Sequence, residues 1–102
     1  MTQFIDVASV ESLPPGHGRT VSAQGAQIAV YNLDGQFYAI DDICPHAGGQ
    51  LGEGTLENGS VVCPLHGWSF DLKTGICPTR PDRPVKTFPT RVWEGQVQVE
   101  VG

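Results

Sequence analysis

The chain has 102 residues and a formal charge of −5, from six basic and eleven acidic side chains. This length accommodates one domain with one modest core, so we expect a single domain over residues 1–102. The acidic balance argues against nucleic acids and anionic membranes as partners.

No run of the sequence approaches the roughly 18 apolar residues that cross a bilayer, so no membrane partner is expected. The N-terminus lacks the basic region of a signal peptide and reads MTQFIDVASVESLPPG. The three cysteines are an odd number, unlike the paired framework of secreted domains. Together these features predict a cytoplasmic, reducing location.

The charge is unevenly distributed. Residues 1–62 hold seven acidic residues and Arg19, which gives −6, and residues 63–102 hold five basic and four acidic residues, which gives +1. Most of these basic side chains lie in or near the proline-rich segment 77–86. A solvated loop is the ordinary interpretation of this segment, and a rim that docks a partner is the alternative.

In chain order, short apolar alternations predominate and long helical periodicity is absent. Thirteen glycines and eight prolines interrupt the chain, so we predict an all-β protein. One helical turn is predicted over 8–13, and tight hairpin turns at Asp34-Gly35 and Asn58-Gly59. The glycine-rich segment 48–54 is not expected to be helical. The predicted strands are 4–7, 19–23, 27–33, 36–40, 55–57, 60–62, 68–71, 85–93 and 96–101.

Alternation also assigns faces to two strands. Phe37 and Ala39 should face one way and Tyr38 and Ile40 the other, while the valines of 96–101 should be buried. The economical fold is therefore a small antiparallel β sandwich or barrel with an inserted two-loop subdomain, over about residues 42–84.

Two pairs of potential metal ligands lie in this subdomain. They are Cys44-Pro45-His46 and Cys63-Pro64-Leu65-His66, with sixteen residues between them. Two sulfur and two nitrogen ligands suit zinc or an iron–sulfur centre. Zinc modules commonly present two sulfurs from one turn, whereas each loop here offers one sulfur and one nitrogen. This distribution favours a two-iron cluster over zinc.

The pattern C-P-H-x₁₆-C-P-L-H, followed by Gly-Trp-Ser-Phe-Asp, resembles the Rieske [2Fe–2S] signature. The likeness extends over nearly the whole chain and is most specific to small Rieske-type ferredoxins and to the small subunits of nitrite reductases. It implies one [2Fe–2S] cluster, with Cys44 and Cys63 on the buried iron and His46 and His66 on the outer iron.

The sequence departs from the pattern of respiratory Rieske proteins at two pairs of positions. Respiratory Rieske proteins have one further cysteine in each loop, joined as a disulfide, and the matching positions here are Gly49 and Leu65. Those proteins also direct a serine and a tyrosine hydroxyl at the cluster sulfurs, and the matching positions are Trp68 and Phe70. Since such hydrogen bonds raise the potential, their loss predicts a low-potential centre.

The resemblance implies an electron-transfer component of a larger system, not an enzyme by itself. No nucleophile with a base, phosphate-binding glycine motif or facial triad is present, and His17 alone cannot complete such a triad. The implied partners are a flavin-dependent, NAD(P)H-dependent reductase and a terminal ring-hydroxylating oxygenase, or the large subunit of a nitrite reductase. The alternative from a different class is a structural zinc-binding interaction domain.

Overall fold

A computed structural model describes residues 3–45, 48–65 and 67–101. Within these ranges the chain forms ten strands and two short 3₁₀ turns, the latter at Val10–Ser12 and Leu51–Glu53. In chain order the strands are β1 Gln3–Ser9, β2 Gly18–Ala23, β3 Ala26–Leu33, β4 Gln36–Asp41, β5 Thr55–Glu57, β6 Ser60–Val62, β7 Ser69–Asp71, β8 Thr87–Phe88, β9 Thr90–Trp93 and β10 Gln96–Val101.

These strands form three antiparallel sheets, with the orders β1-β10-β9, β2-β3-β4-β8 and β5-β6-β7. The predicted all-β antiparallel class is therefore confirmed. Both predicted hairpin turns form, because Asp34-Gly35 and Asn58-Gly59 adopt the positive φ angles that such turns require. No helix in these three ranges is long and apolar enough to cross a membrane.

The sheet β2-β3-β4-β8 separates two apolar cores. Strand β3 is buried on both faces, so Ile28 and Val30 enter one core while Ala29 and Tyr31 enter the other. The valine core consists of Leu13, Ala23, Ile28, Val30, Ala39, Val97, Val99 and Val101. The cysteine core consists of Ala29, Tyr31, Ile40, Cys44, Leu51, Val61, Cys63, Phe70, Leu72, Cys77 and Val85.

The facing predicted for β4 and β10 is confirmed. Phe37 packs against the valine core with Ala39, and Tyr38 packs against the cysteine core with Ile40. All three valines of β10 are buried. The sheet β5-β6-β7 contributes Val61 and Phe70 to the cysteine core. This sheet therefore lies on the face of the sheet β2-β3-β4-β8 that points away from the valine core.

One local prediction is wrong, and a second is incomplete. The predicted strand 85–93 is wrong as one element, because Pro89 separates β8, which pairs with β4, from β9, which pairs with β10. Proline has no N–H for a ladder, so the chain changes sheets there. The segment 48–54 forms no α-helix, as predicted, but it does contain the short 3₁₀ turn at Leu51–Glu53.

Candidate metal centre

Two cysteines lie at the ends of strands that feed the same core. Cys44 follows β4 after two intervening residues, and Cys63 follows β6 directly. Each side chain is only 1% exposed, and both belong to the cysteine core. The fold therefore brings the two predicted sulfur ligands to one buried region.

The first cysteine loop is closed at its base by an antiparallel bridge between Ile43 and Gln50. Within it, the Cys44 amide donates to the Gly49 carbonyl at 2.9 Å, and the Gly48 amide donates to the Cys44 carbonyl at 2.9 Å. These bonds satisfy the backbone groups around the buried thiol and fix its position.

The second cysteine loop is closed in the same way. Val62 pairs with Ser69 at its base. The Cys63 amide donates to the Trp68 carbonyl at 2.7 Å, and the Gly67 amide donates to the Cys63 carbonyl at 3.1 Å. The donors and acceptors occupy the same positions relative to the cysteine in both loops, so the two loops are structural copies of one turn.

Glycine makes this shared turn possible. Gly48 and Gly67 have φ angles of 74° and 75°, a left-handed conformation that side chains with a Cβ atom adopt at a cost. The signal was present in the sequence as Cys-Pro-x-x-Gly, which occurs once at Cys44 and once at Cys63. The spacing of cysteine and histidine alone did not identify it.

The two loops are in contact with each other. A Cβ atom on Gly49 would lie 3.1 Å from the Sγ atom of Cys63 and 3.0 Å from the Cγ atom of Leu65. Gly49 and Leu65 are the two positions where the resemblance places a disulfide in other family members. In this chain a glycine–leucine contact takes the place of that bond.

A buried carboxylate holds the base of the first loop. Asp42 is fully buried and accepts hydrogen bonds from the Thr20 hydroxyl at 2.8 Å and from the Gly52 amide at 2.8 Å. Its own carbonyl accepts from the Leu51 amide at 2.7 Å. Asp42 thus ties β2 to both ends of the first cysteine loop. Sequence reasoning missed this role, although an acidic residue two positions before Cys44 was visible.

The Tyr31 phenol is the second buried polar group beside this loop. Its hydroxyl donates to the Leu51 carbonyl at 2.5 Å. Burial, and to a lesser extent the neighbouring charge of Asp42, raises the pKa of the phenol. The hydroxyl therefore remains a neutral donor at physiological pH. Sequence reasoning placed Tyr31 in a strand and assigned it no role.

The residues after the second loop pack into or against the cysteine core. Phe70 is fully buried in the cysteine core, and Trp68 is partly buried against it. Cys77 is a buried free thiol, with its sulfur 3.4 Å from the Thr79 hydroxyl. Neither Trp68 nor Phe70 has a hydroxyl to offer a sulfur acceptor, in agreement with the departure noted from the sequence.

The predicted nitrogen ligands His46 and His66 lie outside the described residues. Within the described ranges no group of three or more His, Cys, Asp and Glu side chains converges, so the structure places only the two sulfur donors. The environment of the two cysteines fits a two-iron cluster bound by sulfur on its inner side. The thiols are buried, while Pro45, Pro64 and Leu65 in the same loops are exposed, so each loop runs from the core to the surface.

Comparison with known proteins agrees with this geometry. Residues 3–89 match the family model described as the Rieske [2Fe-2S] domain. The chain is 43% identical over 98 residues to the 3-phenylpropionate/cinnamic acid dioxygenase ferredoxin subunit of Photorhabdus laumondii, covering 93% of this chain and 91% of that protein.

Two solved structures are also similar. The ferredoxin-sized chain matched in the complex of reduced oxygenase and oxidized ferredoxin in carbazole 1,9a-dioxygenase has a TM-score of 0.85 and 38% identity, over 94% of this chain and 91% of that chain. The putative NADH-dependent nitrite reductase small subunit from Mycobacterium tuberculosis has a TM-score of 0.92 and 28% identity, over 100% and 97%. The chain belongs to the Rieske [2Fe–2S] family, whose members carry one such cluster.

Proposed function

We propose that this protein carries single electrons from an NAD(P)H-dependent flavin reductase to the terminal oxygenase of a ring-hydroxylating system. Its one [2Fe–2S] cluster has Cys44, His46, Cys63 and His66 as ligands. The observation that carries this proposal is the pair of congruent loops, each of which buries one thiol in the cysteine core. The Photorhabdus relative is a dioxygenase ferredoxin subunit, which supports the oxygenase setting.

In this proposal the cysteines and the histidines bind different irons of the cluster. Cys44 and Cys63, which the cysteine core shields from water, would hold the inner iron. His46 and His66 would hold the outer iron, as the resemblance to the family implies. When bound, the cluster supplies a centre that accepts and returns one electron, at a potential set by its ligands, hydrogen bonds and solvent exposure.

The chain is an electron-transfer component, and the reaction it serves takes place on its partner. In the cytoplasm, which we propose as its location, the reducing environment keeps Cys77 as a thiol. The predicted alternative, a zinc-binding interaction domain, is disfavoured by the family match.

A second function, in a nitrite reductase system, is supported by a solved structure. The structure of the nitrite reductase small subunit from Mycobacterium tuberculosis covers the whole of this chain at a TM-score of 0.92. In that setting the partner is the large subunit of a nitrite reductase. Reconstitution with a partner of each class distinguishes the two settings by which partner oxidises the reduced protein at a catalytic rate.

The ligand assignment is tested by metal analysis of variants. The purified protein should be reddish-brown, with about two irons and two sulfides per chain. Cys44→Ser, Cys63→Ser, His46→Ala and His66→Ala should each lose the visible spectrum. His17→Ala removes an exposed histidine and Cys77→Ala removes a buried thiol, and both should keep it. A colourless protein with stoichiometric zinc would overturn the proposal.

A further inference from the structure

A basic loop of residues 78–84 leaves the cysteine core beside the candidate metal centre. Both of its ends are anchored, because Cys77 is fully buried and Val85 is 7% exposed within that core. The Arg80 amide donates to the Cys77 carbonyl at 3.0 Å, and the Val85 amide donates to the Gly75 carbonyl at 2.8 Å. The loop is therefore fixed in position relative to the two cysteine loops.

Two arginines of the basic loop face solvent. Arg80 and Arg83 are exposed, and a hydrogen bond from the Arg83 amide to the Arg80 carbonyl at 3.0 Å joins them in one turn. Neither guanidinium forms an ion pair with any side chain that the structure describes. Asp82 lies between them in the sequence, so residues 78–84 carry a formal net charge of +1.

The position of Arg80 puts this charge against the second cysteine loop. Its guanidinium carbon lies 5.5 Å from the centre of the Trp68 ring, a cation–π contact. The backbone carbonyl of Trp68 accepts the hydrogen bond from the Cys63 amide at 2.7 Å, which closes the second cysteine loop. One side chain therefore separates the positive charge from the loop that carries Cys63.

Another side of the same loop is acidic. Glu57 and Gly67 line one shallow cavity, and the Glu57 side chain is exposed. The second cysteine loop thus has a positive neighbour through Trp68 and a negative neighbour through Gly67. Because the whole chain carries −5, the arginines are a local exception to its overall charge.

We infer that Arg80 and Arg83 form a docking surface for a carboxylate-rich face of a redox partner protein. The inference rests on the proposed electron-carrier function and adds the chemistry of the partner. Opposite charges beside the site of electron exit steer encounter and fix orientation, whereas an acidic partner is repelled by the rest of this surface. The basic segment noted in the sequence is then a docking rim and not only a solvated loop.

The test uses two one-electron acceptors of opposite surface charge. The dithionite-reduced holoprotein is mixed with plant plastocyanin, which has an acidic face, or with cytochrome c, which has a basic one. In each reaction one electron leaves the reduced cluster and reduces one copper or haem iron, and no proton is required. The second-order rate is measured at low ionic strength, where surface charges are least screened.

The double variant R80Q/R83Q should slow plastocyanin reduction about fivefold or more, and added salt should remove the difference. It should leave the cytochrome c rate unchanged or faster. Because Arg80 also packs on Trp68, R80K, which retains the charge, should preserve the wild-type rate. R83Q alone should give part of the loss.

Two control variants complete the design. R91Q removes an exposed arginine of β9, in the sheet that carries neither cysteine loop, and should not affect either rate. E57Q should slow only the reaction with cytochrome c. All variants must retain the wild-type visible spectrum and potential.

Equal plastocyanin rates for R80Q/R83Q and the wild type would overturn the inference, as would an equal loss in R91Q. A protein without a reducible cluster would overturn the proposed function, and the docking inference with it. A reducible cluster with charge-independent rates would overturn the docking inference alone.

Discussion

Gly49 lies directly against Leu65, so that a Cβ atom on the glycine would be 3.0 Å from the leucine Cγ atom. This contact joins the two cysteine loops at the positions where the family resemblance places a disulfide. Ordinary carbon–carbon contacts have an optimum at about 3.5–4.0 Å, so residue 49 has no room for a methyl group unless the loops move apart.

Gly49→Ala should therefore separate the loops and shorten the lifetime of the cluster. The added methyl would also lie 3.1 Å from the Cys63 sulfur. We expect visible bleaching in the presence of an iron chelator to be several-fold faster than in the wild type. Leu65→Ala in the G49A background should restore part of the lifetime, while Leu65→Ala alone should change little because Leu65 is 56% exposed. Equal bleaching rates for wild type and G49A would contradict this prediction.

The double variant G49C/L65C should form a disulfide under oxidising conditions. The γ atom of residue 65 is already within the reach that a disulfide requires from a Cβ atom at residue 49. A cross-link over a loop of this length should add at most about 3 kcal/mol to the free energy of unfolding. Thiol titration and a redox-dependent shift in the urea midpoint measure it. Each single cysteine variant is the control, and free thiols at both positions after oxidation would refute the match to the family's disulfide.

Asp42 should be coupled energetically to Thr20. The buried carboxylate accepts from the Thr20 hydroxyl at 2.8 Å and from the Gly52 amide at 2.8 Å. Thr20→Val should cost about 1 kcal/mol, and Asp42→Asn about 1–2 kcal/mol because its hydrogen bonds lose their charge assistance. In the double variant the losses should be less than additive. Strict additivity in urea unfolding would show that the hydrogen bond contributes nothing to stability.

Tyr31→Phe should lower stability at neutral pH by about 1 kcal/mol, because the hydrogen bond to the Leu51 carbonyl is lost. Burial raises the folded-state pKa of this phenol above the unfolded value of 10.0, so the contribution is fully present below pH 10. It is lost as the pH rises further, since the unfolded state releases the proton first. Urea midpoints at pH 7 and above pH 10 should thus show the gap between wild type and Y31F narrowing. A gap that stays constant would contradict this account.

The reduction potential should lie near the low end of the Rieske range, roughly −150 mV. Trp68 and Phe70 provide no hydroxyl to the cluster sulfurs, and Phe70 is fully buried in the core that contains both cysteines. Phe70→Tyr should raise the potential if its hydroxyl reaches a sulfur, because such a bond stabilises the reduced cluster. Protein-film voltammetry measures both values. A wild-type potential above zero would refute the prediction.

Local patterns predicted most of the strands. Alternation in 36–40 and 96–101 assigned the correct faces, because side chains in a strand point to opposite sides regardless of the partner strand. The turns at Asp34-Gly35 and Asn58-Gly59 were equally local, since φ preferences belong to the residues themselves. The prediction of one strand over 85–93 was wrong because its two halves pair in different sheets. Only the partner strands β4 and β10 decide where the segment divides.

The sequence by itself identified the β class and the family and predicted the ligand pairs Cys44–His46 and Cys63–His66, because each inference rests on residue types at short spacing. Only the tertiary structure decided that the two cysteine loops contact each other at Gly49 and Leu65, that Asp42 ties the first loop to Thr20 of β2, and that Arg80 lies over Trp68. These relationships join residues distant in sequence, such as Thr20 with Asp42. Their partners are selected by packing around the shared cysteine core, and no local preference encodes that selection.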